Sequence, residues 1–160
     1  MGTWHNNDGL LIRYGVESPG DPKGGMNPDK DAERTYVLEV AYSDLAATGT
    51  VKIFPEIDLP ANFQVSKVEV SGLDAWASAG SAGTLDIGLI RHDRTTAVDL
   101  DGMGDGVTQA QLNSNTYDTS SGTAPLVGTT LANAAYLTLT EAVAAFTSGS
   151  ARITITGVQR

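Results

Sequence analysis

The chain has 160 residues, no cysteine and a formal net charge of −9. This length fits one domain that buries a core without disulfides. The acidic charge excludes nucleic acid and anionic membranes as partners, and no run of about 18 apolar residues is available to span a bilayer.

The chain begins with "MGTWHNNDGLLIRY", in which a tryptophan precedes an Asn-Asn-Asp-Gly turn and a short apolar run at 10–14. This start lacks the basic and apolar regions of a signal peptide, so we expect the protein to be made in a cytosol. Residues 15–33 are rich in proline, glycine and charged residues, which cannot form a core. We therefore predict an N-terminal arm over 1–33 with one short strand, followed by a folded body over 34–160.

Alternating apolar residues predict strands throughout the body. From Thr35 onward, Tyr36, Leu38, Val40 and Tyr42 share one face. A second strand over 50–54 is expected to stop at Pro55. Further predicted features are a turn at 60–62, a hairpin loop at 78–83, and strands around Val68 and Val70, Leu85 to Leu89, Leu137 and Leu139, and Ile153 and Ile155.

Two stretches contain helix formers. Residues 106–113 predict one or two helical turns, and residues 139–146 could form another helix with Thr140 as its N-cap. Six or seven short strands separated by glycine-rich turns nevertheless predict an all-β protein. We expect a small antiparallel β-sandwich or jelly-roll-like barrel with an extended N-terminal arm.

No catalytic motif stands out. His92 is followed by Asp93, but adjacent residues of a strand point to opposite faces, so Asp93 should not orient the imidazole. The glycine-rich segment 78–83 has no lysine and precedes a strand, whereas a phosphate-binding loop leads into a helix. We predict that the protein is not an enzyme and has no cofactor.

The segment "DLDGMGDG" over 99–106 contains three aspartates, Asp99, Asp101 and Asp105, that resemble the first half of a calcium loop. The twelfth position of such a loop would be Ala110 instead of a bidentate glutamate. We therefore interpret the segment as a glycine-rich turn with solvated aspartates, and these residues are weak candidates for a metal site.

Carbohydrate binding is an alternative function for a β-sandwich. Sugar-binding modules stack aromatic rings on sugar faces. Trp4 and Trp76 are the two tryptophans of the chain. Two tryptophans are too few to establish an aromatic strip. Carbohydrate binding is therefore kept as the alternative and not as the main prediction.

The chain resembles the capsid decoration proteins of tailed bacteriophages, also called cement or head-stabilising proteins, notably those of short-tailed phages of aquatic bacteria. The resemblance is carried by the N-terminal segment quoted above, by "DLPANFQVSKVEVSG" and "AGTLDIGLIRHDRTTAVDLDG" in the middle, and by "VGTTLANAAYLTLT" and "ARITITGV" near the end. It extends over most of the chain, and no single motif is diagnostic.

This resemblance implies a β-rich protein that binds the outer surface of an assembled capsid and stabilises it, often as a trimer. The major capsid protein and further copies of the chain would be its partners, and the virion its location. The alternative becomes a carbohydrate-binding module of a phage head fibre or tail protein. Because tryptophan is enriched at interface hot spots, one hypothesis is that the N-terminal segment contacts the shell or a neighbouring subunit. The alternative is that Trp4 packs onto its own sandwich. The candidate interface residues are Trp4, Leu10, Leu11, Ile12 and Tyr14.

Overall fold

The computed structural model describes the backbone of residues 2–5 and 11–14, and backbone and side chains of residues 33–115, 117–119 and 124–160. It contains ten strands and one α-helix in these ranges. The strands are β1 (Gly2–His5), β2 (Leu11–Tyr14), β3 (Glu33–Ala41), β4 (Val51–Leu59), β5 (Phe63–Ser78), β6 (Thr84–Arg91), β7 (Ala97–Thr108), β8 (Tyr117–Asp118), β9 (Ala135–Ala142) and β10 (Phe146–Gln159), and the helix is α1 (Gln109–Ser114).

Eight of these strands form two four-stranded antiparallel sheets. The first sheet has the order β3-β10-β5-β8, and the second has the order β4-β9-β6-β7. Chain neighbours such as β3 and β4, or β5 and β6, therefore lie in opposite sheets. The predicted all-β antiparallel sandwich is confirmed, with more strands than the six or seven expected.

The core lies between the two sheets and follows the predicted alternation. Leu85, Ile87 and Leu89 of β6 are fully buried, and so are Leu137 and Leu139 of β9. Across the core, β5 contributes Val68 and Val70, and β10 contributes Ile153 and Ile155. The period-two pattern therefore assigned these residues to the correct face.

Among the residues whose side chains the structure describes, Trp76 is the largest that is almost fully buried. Its ring meets Phe146 edge to face, with centroids 4.7 Å apart. Its indole N–H donates to the carbonyl oxygen of Ser150 at 3.1 Å. A buried tryptophan with a satisfied N–H contributes its whole apolar area to the core.

The prediction that Pro55 ends a strand was wrong. The strand β4 continues through Pro55 to Leu59, and its pairing with β9 shifts register between Phe54 and Asp58. Because β4 is an edge strand, a residue without an N–H is tolerated at this irregularity.

Three predictions about loops and helices also failed. Residues 139–142 belong to β9, where Thr140 pairs with both Val51 and Asp86, so tertiary pairing overrides the local helix preference. Residues 99–106 form part of β7 rather than a turn. The segment 78–83 connects β5 to β6 in the other sheet, so it is not a hairpin loop.

The short helix α1 confirms the one or two helical turns predicted within residues 106–113, although residues 106–108 belong to β7. It is N-capped by Thr108, whose hydroxyl accepts from the Gln111 N–H, while the Gln111 side chain accepts from the Thr108 N–H. This capping box starts the helix, and Asn115 in the left-handed conformation ends it. Among the residues that the structure describes, no helix is long and apolar enough to cross a membrane.

The buried tyrosine of β8 predicts a loss of stability in alkali. Tyr117 donates its hydroxyl to the Met103 carbonyl oxygen at 2.9 Å, and burial, with a smaller effect from the Asp105 charge, raises its pKa to about 12. The unfolded chain deprotonates near pH 10, so this contribution to stability is present below pH 10 and is lost as pH rises towards 12. Urea unfolding at pH 9 and 11.5 should show that the wild type loses about 2 kcal/mol more than Tyr117→Phe. Equal losses in both proteins would contradict this prediction.

Candidate functional site

Four of the five predicted interface residues lie in a two-stranded sheet of their own: Trp4, Leu11, Ile12 and Tyr14. The strands β1 and β2 pair antiparallel, with Trp4 opposite Ile12. The sequence predicted the strand that holds Leu11, Ile12 and Tyr14, but it missed β1. Leu10 and residues 15–32 lie outside the described residues. The interface role of this segment therefore stays a prediction.

The outer face of the first sheet carries exposed ion pairs. Arg152 of β10 contacts Glu39 of β3 at 2.6 Å. Lys67 lies 2.8 Å from Glu69 and 3.2 Å from Asp118. Exposed pairs of this kind contribute little to stability, so they mark a face that is well solvated in the isolated chain.

A groove of about 650 Å³ lies between the edges of the two sheets, where β3 and β4 face each other. We call this the β3–β4 groove. Its apolar lining comes from one residue of β3, one of the following loop and three of β4. Its polar lining includes three carboxylates and one ammonium group. The residues concerned are Leu38, Leu45, Ile53, Phe54 and Pro55, with Glu39, Asp44, Glu56 and Lys52.

Exposed apolar side chains lie on β3 and directly after it. Val37 is 50% exposed and Tyr42 is 42% exposed. Tyr42 was predicted to share the buried face of Val40, but β3 ends at Ala41 and Tyr42 begins a one-turn 3-10 helix. Both residues adjoin groove-lining residues in the sequence, Leu38 and Ser43, and offer apolar surface near the groove.

His92 has a carboxylate partner that the sequence did not reveal. Its Nε2 lies 2.7 Å from Oδ1 of Asp58, and its ring stacks on Tyr136 with centroids 4.3 Å apart. Asp93 instead accepts from the N–H groups of Thr95 and Thr96, as expected of a residue that does not orient His92. From the sequence, only Asp93 was considered as a partner of His92, and Asp58 was therefore missed.

This pair lies on the surface, since His92 and Asp58 are 43% and 51% exposed. In a catalytic triad, a hydroxyl or thiol nucleophile lies within hydrogen-bond reach of the base. Among residues 33–115, 117–119 and 124–160, the side chain that hydrogen-bonds to the His92 imidazole is the carboxylate of Asp58. The imidazole lies against a carboxylate and an aromatic ring, and among the described residues no hydroxyl or thiol completes a triad with it.

The three aspartates of β7 are not gathered at one point. The side chain of Asp101, and then burial, raises the pKa of Asp99. Burial, and then the charges of Asp105 and Asp101, raise the pKa of Asp86 on the neighbouring strand β6. In the part of the chain that the structure describes, no three histidine, aspartate or glutamate side chains form a group suited to a metal ion.

Comparisons with known proteins give a likeness at the level of the fold. No protein-family profile and no curated protein sequence matches the chain. The structure is similar to a chain of the solved cyanophage Pam1 capsid asymmetric unit, with a TM-score of 0.54 and 16% sequence identity. The match covers 91% of this chain and 98% of that chain. At this identity the likeness shows a shared fold, and it extends over almost the whole of both molecules.

Proposed function

We propose that this chain is a structural protein of a phage virion that binds the outer surface of the assembled capsid and stabilises it, as a trimer. The observation that carries the proposal is the fold likeness to a chain of a cyanophage capsid, because it spans nearly the full length of both chains. The major capsid protein is the proposed partner, and no catalytic step is involved.

The strand order adds support. If the eight sandwich strands β3 to β10 are renumbered 1 to 8, the two sheets have the strand orders 1-8-3-6 and 2-7-4-5. We interpret this topology as a jelly roll. Jelly rolls are frequent in viral capsid and lectin domains. Since one fold hosts many functions, the choice between these two classes depends on surface features.

Those surface features favour assembly over sugar binding. Trp76 is buried against Phe146, so its ring is not available to stack on a sugar. An acidic chain also suits the outside of a shell, away from packaged DNA. A protein that binds only the assembled shell stabilises it by mass action, and a trimer that spans several subunits gains avidity.

The N-terminal segment provides the test. We expect deletion of residues 1–14 to weaken capsid binding by about tenfold or more, because Trp4 and the apolar residues of β2 leave the contact. The sandwich should stay folded, since neither β1 nor β2 belongs to its two sheets. The measurement is co-sedimentation of full-length and truncated protein with capsids that lack this protein, with circular dichroism of both. Leu73→Ala, which shortens an exposed side chain of the body, is the control.

The outcomes separate the alternatives. Equal binding by the truncated protein would refute a role for the N-terminal segment while leaving the capsid function intact. A full-length protein that binds no capsid, but whose tryptophan fluorescence changes with an oligosaccharide, would favour the carbohydrate-binding alternative.

A further inference from the structure

Among the residues that the structure describes, β3 is the sandwich edge strand with the most regular pairing. The other three edges of the sandwich are short or irregular: β8 has two residues, β4 contains Pro55 and a register shift, and β7 pairs irregularly with β6. By contrast, β3 pairs with β10 over nine consecutive residue pairs without a shift, and it contains no proline, glycine or lysine. A long regular edge strand is a template for pairing with another strand.

The free edge of β3 presents the backbone of its odd-numbered residues. The N–H of Ala41 points away from β10, since it donates to Asp44 Oδ2 at 2.9 Å. Backbone groups alternate in direction along an antiparallel strand, so the N–H and C=O groups of Thr35, Val37 and Glu39 also point to the free edge.

The opposite side of the same sheet gives an independent check. In β5, the N–H groups of Val68 and Gly72 donate to Thr119 and Asn115, on the side away from β10. The odd residues in this part of β5 therefore bond to β10, where the partner of Glu69 is Thr154. Because direction alternates along β10, the neighbouring Ile153 bonds to Leu38 of β3 instead. The even residues of β3 therefore bond to β10, and the backbone groups of Thr35, Val37 and Glu39 face the side on which a further strand would pair.

The β3–β4 groove beside this edge sets the chemistry of the strand that fits. Its apolar lining suits every second side chain of an added strand. Glu39, Asp44 and Glu56 contribute carboxylates against the single ammonium group of Lys52, and Glu39 is also paired with Arg152. The remaining charge is negative, which favours a partner with basic side chains. A second copy of the same edge would bring carboxylates against carboxylates.

We propose that an extended segment of the capsid shell, with alternating apolar and basic side chains, pairs with β3 and fills the β3–β4 groove. The identity of this partner rests on the proposed function. Backbone pairing gives such a contact its affinity, and the groove gives its specificity. The pairing also covers Val37, which is half-exposed in the isolated chain.

The test uses two changes at one residue of the full-length chain. Val37→Pro removes a backbone N–H that faces the free edge and leaves the hydrogen bonds from β3 to β10 in place. Val37→Thr keeps this backbone N–H and has a side chain similar in shape to valine. Binding is measured by co-sedimentation with capsids that lack this protein, and folding by thermal melting. We expect Val37→Pro to weaken binding by about tenfold or more and Val37→Thr to bind within about twofold of the wild type.

A charge change tests the groove without altering the strand. Glu56→Lys should weaken capsid binding. Asp101→Lys makes the same change of charge on β7, at the far edge of the second sheet, and should have little effect. The loss caused by Glu56→Lys should shrink as salt rises, since salt screens the charges. This comparison remains decisive if Val37→Pro fails to fold.

Each outcome points to a different conclusion. A wild-type protein that binds no capsid would refute the proposed function and this inference with it. Wild-type binding that neither Val37→Pro nor Glu56→Lys weakens would refute the inference alone. If sedimentation velocity showed that Val37→Pro breaks an oligomer of the free protein, a second copy would be the occupant of β3, and the inference would again be wrong.

Discussion

Replacing Trp76 by alanine is expected to destabilise the protein by about 3 to 5 kcal/mol. The ring is almost fully buried, packs edge to face on Phe146, and donates its N–H to the Ser150 carbonyl oxygen. Alanine would leave a cavity and remove the partner of that oxygen. Since domains are stable by about 5 to 15 kcal/mol, this loss is a large part of the total.

The measurement is chemical denaturation followed by far-ultraviolet circular dichroism. Trp76→Phe should lose less than Trp76→Ala, because a ring would still meet Phe146, although the hydrogen bond to Ser150 would be lost. Leu73→Ala, at a 48% exposed position, should change stability by no more than about 0.5 kcal/mol. A loss below about 1 kcal/mol for Trp76→Ala would show that Trp76 does not anchor this part of the core.

The faces of the strands could be predicted from the sequence because they depend on a local period of two. Leu137 and Leu139, or Ile153 and Ile155, face the core because alternate side chains of a strand point the same way. No long-range information is needed for that conclusion. The same reasoning correctly predicted the all-β class.

Strand ends were harder to predict because they depend on partners distant in sequence. Pro55 is tolerated within β4 only because β4 lies at a sheet edge. Residues 139–146 contain helix formers, yet β9 lies between β4 and β6 and is held by both. The carboxylate of the buried Glu141 then accepts from the Phe146 N–H and the Thr48 hydroxyl, which fixes the start of β10 and the loop before β4.

The surface features have the same origin. Asp58 and His92 are 34 residues apart and meet because the ends of β4 and β6 both flank β9. The β3–β4 groove arises because consecutive strands of the chain form the edges of opposite sheets. Neither arrangement leaves a local pattern in the sequence. The N-terminal tryptophan, by contrast, is visible in the sequence, and its contacts are what the deletion experiment addresses.

A second large effect is expected from a single methyl group at Gly88. This residue lies in β6, which β9 and β7 flank, and an added Cβ atom would lie 2.1 Å from the carbonyl carbon of Leu100 and 2.4 Å from the carbonyl oxygen of Asp99. The contact arises because β7 has four residues opposite one residue of β6, between the pairs Ile87–Gly104 and Leu89–Asp99. The extra residues of β7 therefore pass directly over Gly88, and backbone atoms cannot rotate away as a side chain does.

We expect Gly88→Ala to destabilise the protein by about 3 kcal/mol, at the upper end of the range for overpacking. Gly49→Ala is the matched control, because no atom lies within 4 Å of its added Cβ and only its φ of 79° opposes the change. That backbone conformation should cost about 1 kcal/mol. Denaturant unfolding of both variants should therefore place Gly88→Ala well below Gly49→Ala in stability. Equal losses would show that the backbone of β7 moves away from residue 88 at little cost in stability. Close packing would then not be the reason for glycine at position 88.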